Sequence, residues 1–126
     1  MPYLIDSDIL IDISRAIPQA IEYIDSLPGD WMISQVTAME LIVGARGKQE
    51  LADLDVFISS NSIVPLSDQI GAKGYELLKS YSKSHGLHVF DSLIAATAIL
   101  EDLTLLTRNK KHFHMIDKLS VEFPGY

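Results

Sequence analysis

The chain has 126 residues, no cysteine, and 10 basic against 17 acidic side chains, a formal net charge of −7. That length fits one compact domain, 1–126, and the 48% hydrophobic content supplies a core, which excludes a disordered chain. The missing thiols exclude a disulfide framework, a thiolate metal centre and a cysteine nucleophile. The acidity argues against a protein that coats nucleic-acid phosphates with positive charge, but not against nucleic-acid chemistry at a metal site.

In chain order, Tyr3-Leu4-Ile5 reads as a short buried strand closed by Asp6, and a helical turn follows from Ser7 to about Arg15. Pro18 suits the first turn of a helix running to about Leu27, and Pro28-Gly29-Asp30 is a turn. Trp31-Met32-Ile33 is a second strand. Helices are expected from about Gln35 to Ala45 and from about Gln49 to Ile58. Ser62 to Leu66 is a third strand, with Pro65 near its end. The longest helix starts after Ser67 and runs to about Ser84, with Ile70, Gly74, Leu77, Leu78 and Tyr81 as its inner stripe, and Gly86 stops it. Asp91 to about Leu100 is a helix apolar nearly all round, hence buried. Leu103 to Leu106 is a fourth strand, and Leu119 to Phe123 a candidate fifth.

Short apolar strands separated by helices imply an α/β fold: a central, mostly parallel sheet of four to five strands, covered on both faces. Ligands in such folds gather beyond the carboxyl ends of the strands. Asp6, Glu40, Asp91 and Asn109, with Thr107 just before it, occupy that region. Each has a plainer reading. Asp6 or Ser7 could cap a helix, Thr37 and Glu40 match a capping box, Asp91 could satisfy a helix dipole, and Asn109 could cap a final helix. Together the acids argue otherwise. Three carboxylates gathered near a core repel one another unless a cation is present, and oxygen donors in that number suit Mg²⁺ or Mn²⁺.

The segments Leu4-Ile5-Asp6-Ser7-Asp8-Ile9-Leu10-Ile11-Asp12, Val36-Thr37-Ala38-Met39-Glu40-Leu41, Phe90-Asp91-Ser92-Leu93-Ile94-Ala95-Ala96-Thr97-Ala98 and Leu106-Thr107-Arg108-Asn109-Lys110-Lys111-His112-Phe113 resemble, in that order, the motifs of PIN domains. They are most similar to the VapC-type toxins of toxin–antitoxin pairs. The resemblance covers nearly the whole chain. It implies a three-layer α/β/α fold and a ribonuclease dependent on one or two Mg²⁺ or Mn²⁺ ions. It also implies a protein antitoxin and a homodimer. Asp6, Glu40 and Asp91 match the principal acidic positions and are the expected metal ligands. Asn109 stands at or near the fourth, which is often Asp in the family, and His112 stands where many members carry another acid. Thr107 matches the family's hydroxyl. Asp8 is a candidate supporting group, whereas Asp12 reads as a solvated or structural charge.

Among the basic residues, Arg108, Lys110 and Lys111 are the best candidates for contact with RNA phosphate. His85 with His88, and His112 with His114, lack the further partners a closed zinc site needs. Trp31 and the tyrosines read as core or interface residues. The N-terminus lacks the features of a signal peptide, and no stretch approaches the roughly 20 apolar residues of a membrane span, so a soluble cytoplasmic protein is expected. Three other readings stay open. A D-x-D start at Asp6 and Asp8 is shared with haloacid-dehalogenase-like phosphotransferases. A receiver-like signalling domain has similar length. A degenerate PIN fold would only bind.

Overall fold

In a computed structural model that describes residues 2–126, the elements are β1 (Tyr3–Ile5), α1 (Ser7–Ser14), α2 (Pro18–Asp25), β2 (Trp31–Ser34), α3 (Gln35–Val43), α4 (Lys48–Ser59), β3 (Ile63–Val64), α5 (Asp68–His85), α6 (Val89–Leu100), β4 (Thr104–Leu106), α7 (Lys110–Phe113) and β5 (Val121–Glu122). The strands form one sheet in the order β3-β2-β1-β4-β5, and every pairing is parallel. The fifth expected strand is present, shortened to two residues. The third shrinks from Ser62–Leu66 to Ile63–Val64, consistent with Pro65, which has no N–H to give to a ladder.

Period-two alternation divides the core between the two faces of the sheet. Leu4 of β1 and Leu105 of β4 face α5 and α6, where Ile70, Leu77, Ile94 and Ala98 meet them. Tyr3, Ile5 and Leu106 face the opposite layer, against Ile9, Leu10, Leu41 and Ile58. Leu4, Ile5, Leu105 and Leu106 are fully buried, each contributing on the order of 2 kcal/mol of apolar burial. The result is the expected α/β/α layering.

Gly74 lets α5 and α6 approach closely. A Cβ there would come within 3.0 Å of Leu93 Cδ2. Ser67 caps the start of α5 by accepting from Ile70 N, and Gly86, at φ +69°, ends it in the left-handed conformation that favours glycine. The chain then re-enters as α6, which begins at Val89 and not at Asp91, so Asp91 sits in its first turn. Among the described residues no helix is long and apolar enough to cross a membrane.

The connectivity fixes where a ligand can bind. From β1 the chain steps outward to β2 and β3, then crosses to the other side of β1 to lay down β4. The strand order therefore reverses between β1 and β4, and beyond the carboxyl ends of those two strands a crevice opens. Asp6 follows β1 and Thr107 follows β4.

Candidate active site

Asp6 lies at the mouth of that crevice as the N-cap of α1, in extended conformation, and is nearly buried. Its Oδ1 accepts from Ser7 N at 2.7 Å, and its Oδ2 accepts from the hydroxyl of fully buried Thr107 at 2.8 Å. One side chain thus caps α1 and faces the crevice. Burial pushes its carboxyl up to about 6, the Asp8 charge adds to this, and Asp91 adds a smaller part; the bonds from Thr107 and Ser7 pull the other way.

Asp8 stands beside it. Its Oδ1 accepts from Ile9 N at 2.7 Å and its Oδ2 from Arg108 N at 2.9 Å. Burial again raises its carboxyl, and these N–H groups oppose the rise. Asp8 thereby ties the start of α1 to the loop after β4.

Glu40 corrects the capping-box alternative. Ser34 is the N-cap of α3, and its Oγ accepts from Thr37 N at 3.0 Å. Glu40 therefore does not fold back to the helix start. Its Oε1 is buried and has no hydrogen-bond partner among the described residues. Burial lifts its carboxyl to about 7, and the charges of Asp6, Asp91 and Asp8 contribute to the rise in that order.

Asp91, in the first turn of α6, reaches His112, whose Nδ1 lies 2.9 Å from Asp91 Oδ2. Asn109 Nδ2 is placed 2.8 Å from the same imidazole nitrogen. A proton on Nδ1, given to the carboxylate, leaves nothing there for an amide N–H to donate to; in that state Asn109 must turn its amide oxygen to the ring. Asn109 precedes α7 but makes no side-chain cap bond, so its plainer reading as a cap fails.

Asp6, Ser7, Asp8, Glu40, Asp91 and Asn109 line one hollow of about 280 Å³, joined there by His88, Phe90 and His112. The acids are not drawn into a closed cage, since among the described residues no three His, Asp or Glu side chains form a ready-made metal cluster. An open hollow of carboxylates still fits Mg²⁺ or Mn²⁺, because such ions keep several waters and take only one or two carboxylates directly. The unpartnered Glu40 oxygen and the raised Asp6 and Glu40 carboxyls are what such a cation would relieve.

The family profile described as PIN domain matches residues 3–119. The chain belongs to the PIN-domain family. It is 34% identical to Ribonuclease VapC10 of Mycobacterium tuberculosis, covering 98% of this chain and 96% of that one. It is 37% identical to Ribonuclease VapC19 of the same organism, covering 92% and 95%. Among solved structures it is similar to a toxin-antitoxin complex from Klebsiella pneumoniae, at 31% identity and TM-score 0.79 over 93% of this chain and 94% of that one. It is also similar to VapBC2 from Rickettsia felis bound to a DNA fragment from their promoter, at 27% identity and TM-score 0.84 over 98% and 99%.

PIN-family membership sets aside the phosphotransferase and receiver readings. The receiver reading fails on geometry as well: it needs a phospho-accepting Asp at the end of the third strand, and Asp68, the first acid after β3, opens α5 behind the Ser67 cap and is not among the residues of the acidic hollow. The basic residues divide. The Arg108 guanidinium, expected at RNA phosphate, binds Asp12 Oδ2 at 3.0 Å and the main-chain oxygen of Tyr126 at 3.1 Å, and lies 4.6 Å from the centre of the Tyr126 ring. A carboxylate one turn along α1 from Asp8 and an aromatic face hold it away from the hollow, so only its backbone N–H serves the site. Asp12 is structural, as the sequence suggests: it also accepts from the Tyr126 hydroxyl at 3.1 Å. Lys110 Nζ lies 6.0 Å over the Phe123 ring, and Lys111 is exposed. Glu50 pairs with both Arg15 and Arg46.

His88 and Phe90, which also line the hollow, carry no role in the sequence pattern, and His112 has no contact that the sequence foretells. The histidines pair across elements, His88 with His112 at 6.0 Å and His85 with His114 at 6.4 Å, not within the sequence pairs. Helical spacing carried a partial signal. His112 follows Asn109 by one turn, and His88 precedes Asp91 by the same interval.

Proposed function

We propose that this chain is a metal-dependent endoribonuclease acting as the toxin of a toxin–antitoxin pair. The names of VapC10 and VapC19 and the toxin–antitoxin complexes among its structural relatives support the reading. One observation carries it furthest: Glu40 keeps a buried carboxylate oxygen with no partner among the described residues, in a hollow where burial, and then the charges of Asp6 and Asp91, raise its proton affinity. A protein that used these residues only as caps would have no reason to keep that oxygen there.

Asp6, Glu40 and Asp91 would hold one or two Mg²⁺ or Mn²⁺ ions. When bound, the ion supplies positive charge against the scissile phosphate and acidifies water. Thr107 fixes the Asp6 carboxylate, and Asp8 fixes the Arg108 backbone beside it. A Glu40 oxygen not engaged by the ion can orient an attacking water and accept its proton. His112 orients Asp91, and Asn109 sets the His112 ring in turn. The first turn of α6, without a side-chain cap at His88, offers backbone N–H groups to phosphate. Lys110 and Lys111 would meet the RNA backbone further out.

The partner that fits the acidic hollow is an antitoxin with a basic segment, and the active form is a homodimer in the cytoplasm, where RNA is available. The test is incubation of the purified chain with RNA and Mg²⁺. Internal cleavage that stops on chelation and returns with added metal is the expected result. Cleavage that persists unchanged after exhaustive chelation would remove the proposed mechanism.

A further inference from the structure

Beside the acidic hollow lies a second one, of about 260 Å³, lined by Val36, Met39, Glu40, Val43, Gly44 and Phe90. Glu40 and Phe90 line both hollows, so the two are continuous across these side chains. Val36, Met39, Glu40 and Val43 follow one another at helical spacing on α3, a face that is apolar apart from the carboxylate at its edge. Three apolar side chains there meet solvent: Met39 at 50%, Val43 at 86% and Phe90 at 59% exposure. Leaving an aromatic ring and a methionine exposed beside a cluster of carboxylates has no value for the core.

We infer that Phe90 is a base-stacking, specificity-determining residue. It receives, with Met39 and Val43, the unpaired nucleobase next to the phosphate held at the carboxylates. The inference rests on the ribonuclease reading above. A nucleotide has the same two-part chemistry as this surface, an anionic phosphate at the acid and cation end and a flat apolar base a short distance away. A paired base is already stacked within its helix, so the site takes single-stranded RNA. The homodimer proposed above needs a face of roughly 20–30 residues a side, larger than this hollow alone, and the hollow is assigned to the base by its continuity with the acidic one.

The experiment compares wild type, Phe90→Leu and Phe90→Trp in cleavage of a short single-stranded RNA with Mg²⁺. Light scattering of each protein runs alongside. Phe90→Leu keeps size and apolarity but has no ring face. It should raise KM by roughly tenfold to a hundredfold, with a smaller change in kcat and no change in oligomeric state. Phe90→Trp should stay near wild type. A second arm measures binding of the same labelled oligonucleotide, and of its duplex, to Asp91→Asn protein with and without Phe90→Leu. Tight binding of the single strand, lost with Phe90→Leu and absent for the duplex, supports the assignment even if wild type cleaves no RNA, an outcome that would sink only the ribonuclease reading. Equal KM and equal binding for Leu and Phe overturn it. So does a change of oligomeric state in Phe90→Leu, which would give the patch to a second copy.

Discussion

The Thr107 hydroxyl donates to Asp6 Oδ2 at 2.8 Å across the point where the strand order reverses, joining residues 101 positions apart. The same hydroxyl accepts from Asn109 N at 3.0 Å. One buried oxygen thus aligns the carboxylate after β1 with the turn that carries Asn109 after β4. Thr107→Val keeps the volume and removes both bonds. It should cost about 1.5–3 kcal/mol in urea unfolding, because a charged acceptor loses its donor, and Thr107→Ser should recover most of this.

Metal-free protein should lose stability as pH rises. The Asp6 carboxyl moves from an ordinary 3.8 to about 6 on folding, and that of Glu40 from 4.5 to about 7. Between those limits the folded state holds protons that the unfolded state has released, so stability is greatest at the acid end and declines through pH 7. Thermal unfolding in chelator should give a lower Tm at pH 8 than at pH 5, and Mg²⁺ should narrow the gap. Glu40→Gln should raise the Tm at pH 8 by a few degrees while abolishing the Mg²⁺ effect. An unchanged pH profile in Glu40→Gln would dissociate this carboxylate from the strain.

His112 holds Asp91 through Nδ1 at 2.9 Å. A group that orients a metal-binding carboxylate commonly alters affinity by roughly ten- to a hundredfold when removed. His112→Ala should therefore raise the Mg²⁺ concentration needed for half-maximal cleavage by about that factor, with kcat at saturating Mg²⁺ less affected. Loss of kcat alone would assign His112 a direct part in the chemistry.

Lys110→Ala with Lys111→Ala should weaken RNA binding and reduce the slope of log affinity against log salt by about 0.7 for each phosphate left unneutralised. Arg108→Ala should leave that slope unchanged, because its guanidinium belongs to Asp12 and Tyr126. It should instead lower stability, as read by urea unfolding.

Much of this architecture is legible in the sequence because it depends on local patterning. The apolar runs at Tyr3–Ile5 and Thr104–Leu106 announce buried parallel strands, and the residues following them are the ones the fold gathers. Asp6 could be found that way, Glu40 as the acid one helical turn beyond the second strand, and Asp91 as the acid opening a helix apolar nearly all round. What could not be read are relationships made by distant side chains competing for one partner. Arg108 looks like a phosphate ligand in sequence, and only the folded position of Asp12 and Tyr126 turns it aside. The capping box at Thr37 and Glu40 is a valid local option, overruled because Ser34 takes the cap first. Phe90 stands just before the helix expected from Asp91, yet α6 begins at Val89, and its first turn leaves Phe90 on the rim of the acid hollow.

The most direct test of the account is the initial rate of internal RNA cleavage at saturating Mg²⁺, measured side by side for wild type and Asp91→Asn after both are shown to unfold at similar urea concentrations. Wild type should cleave, and Asp91→Asn should lose at least about a hundredfold, the scale expected when a charge-stabilising group at a reacting centre is removed. Equal residual activity in the two proteins would contradict it, and would make this PIN fold a binding module whose carboxylates do no chemistry.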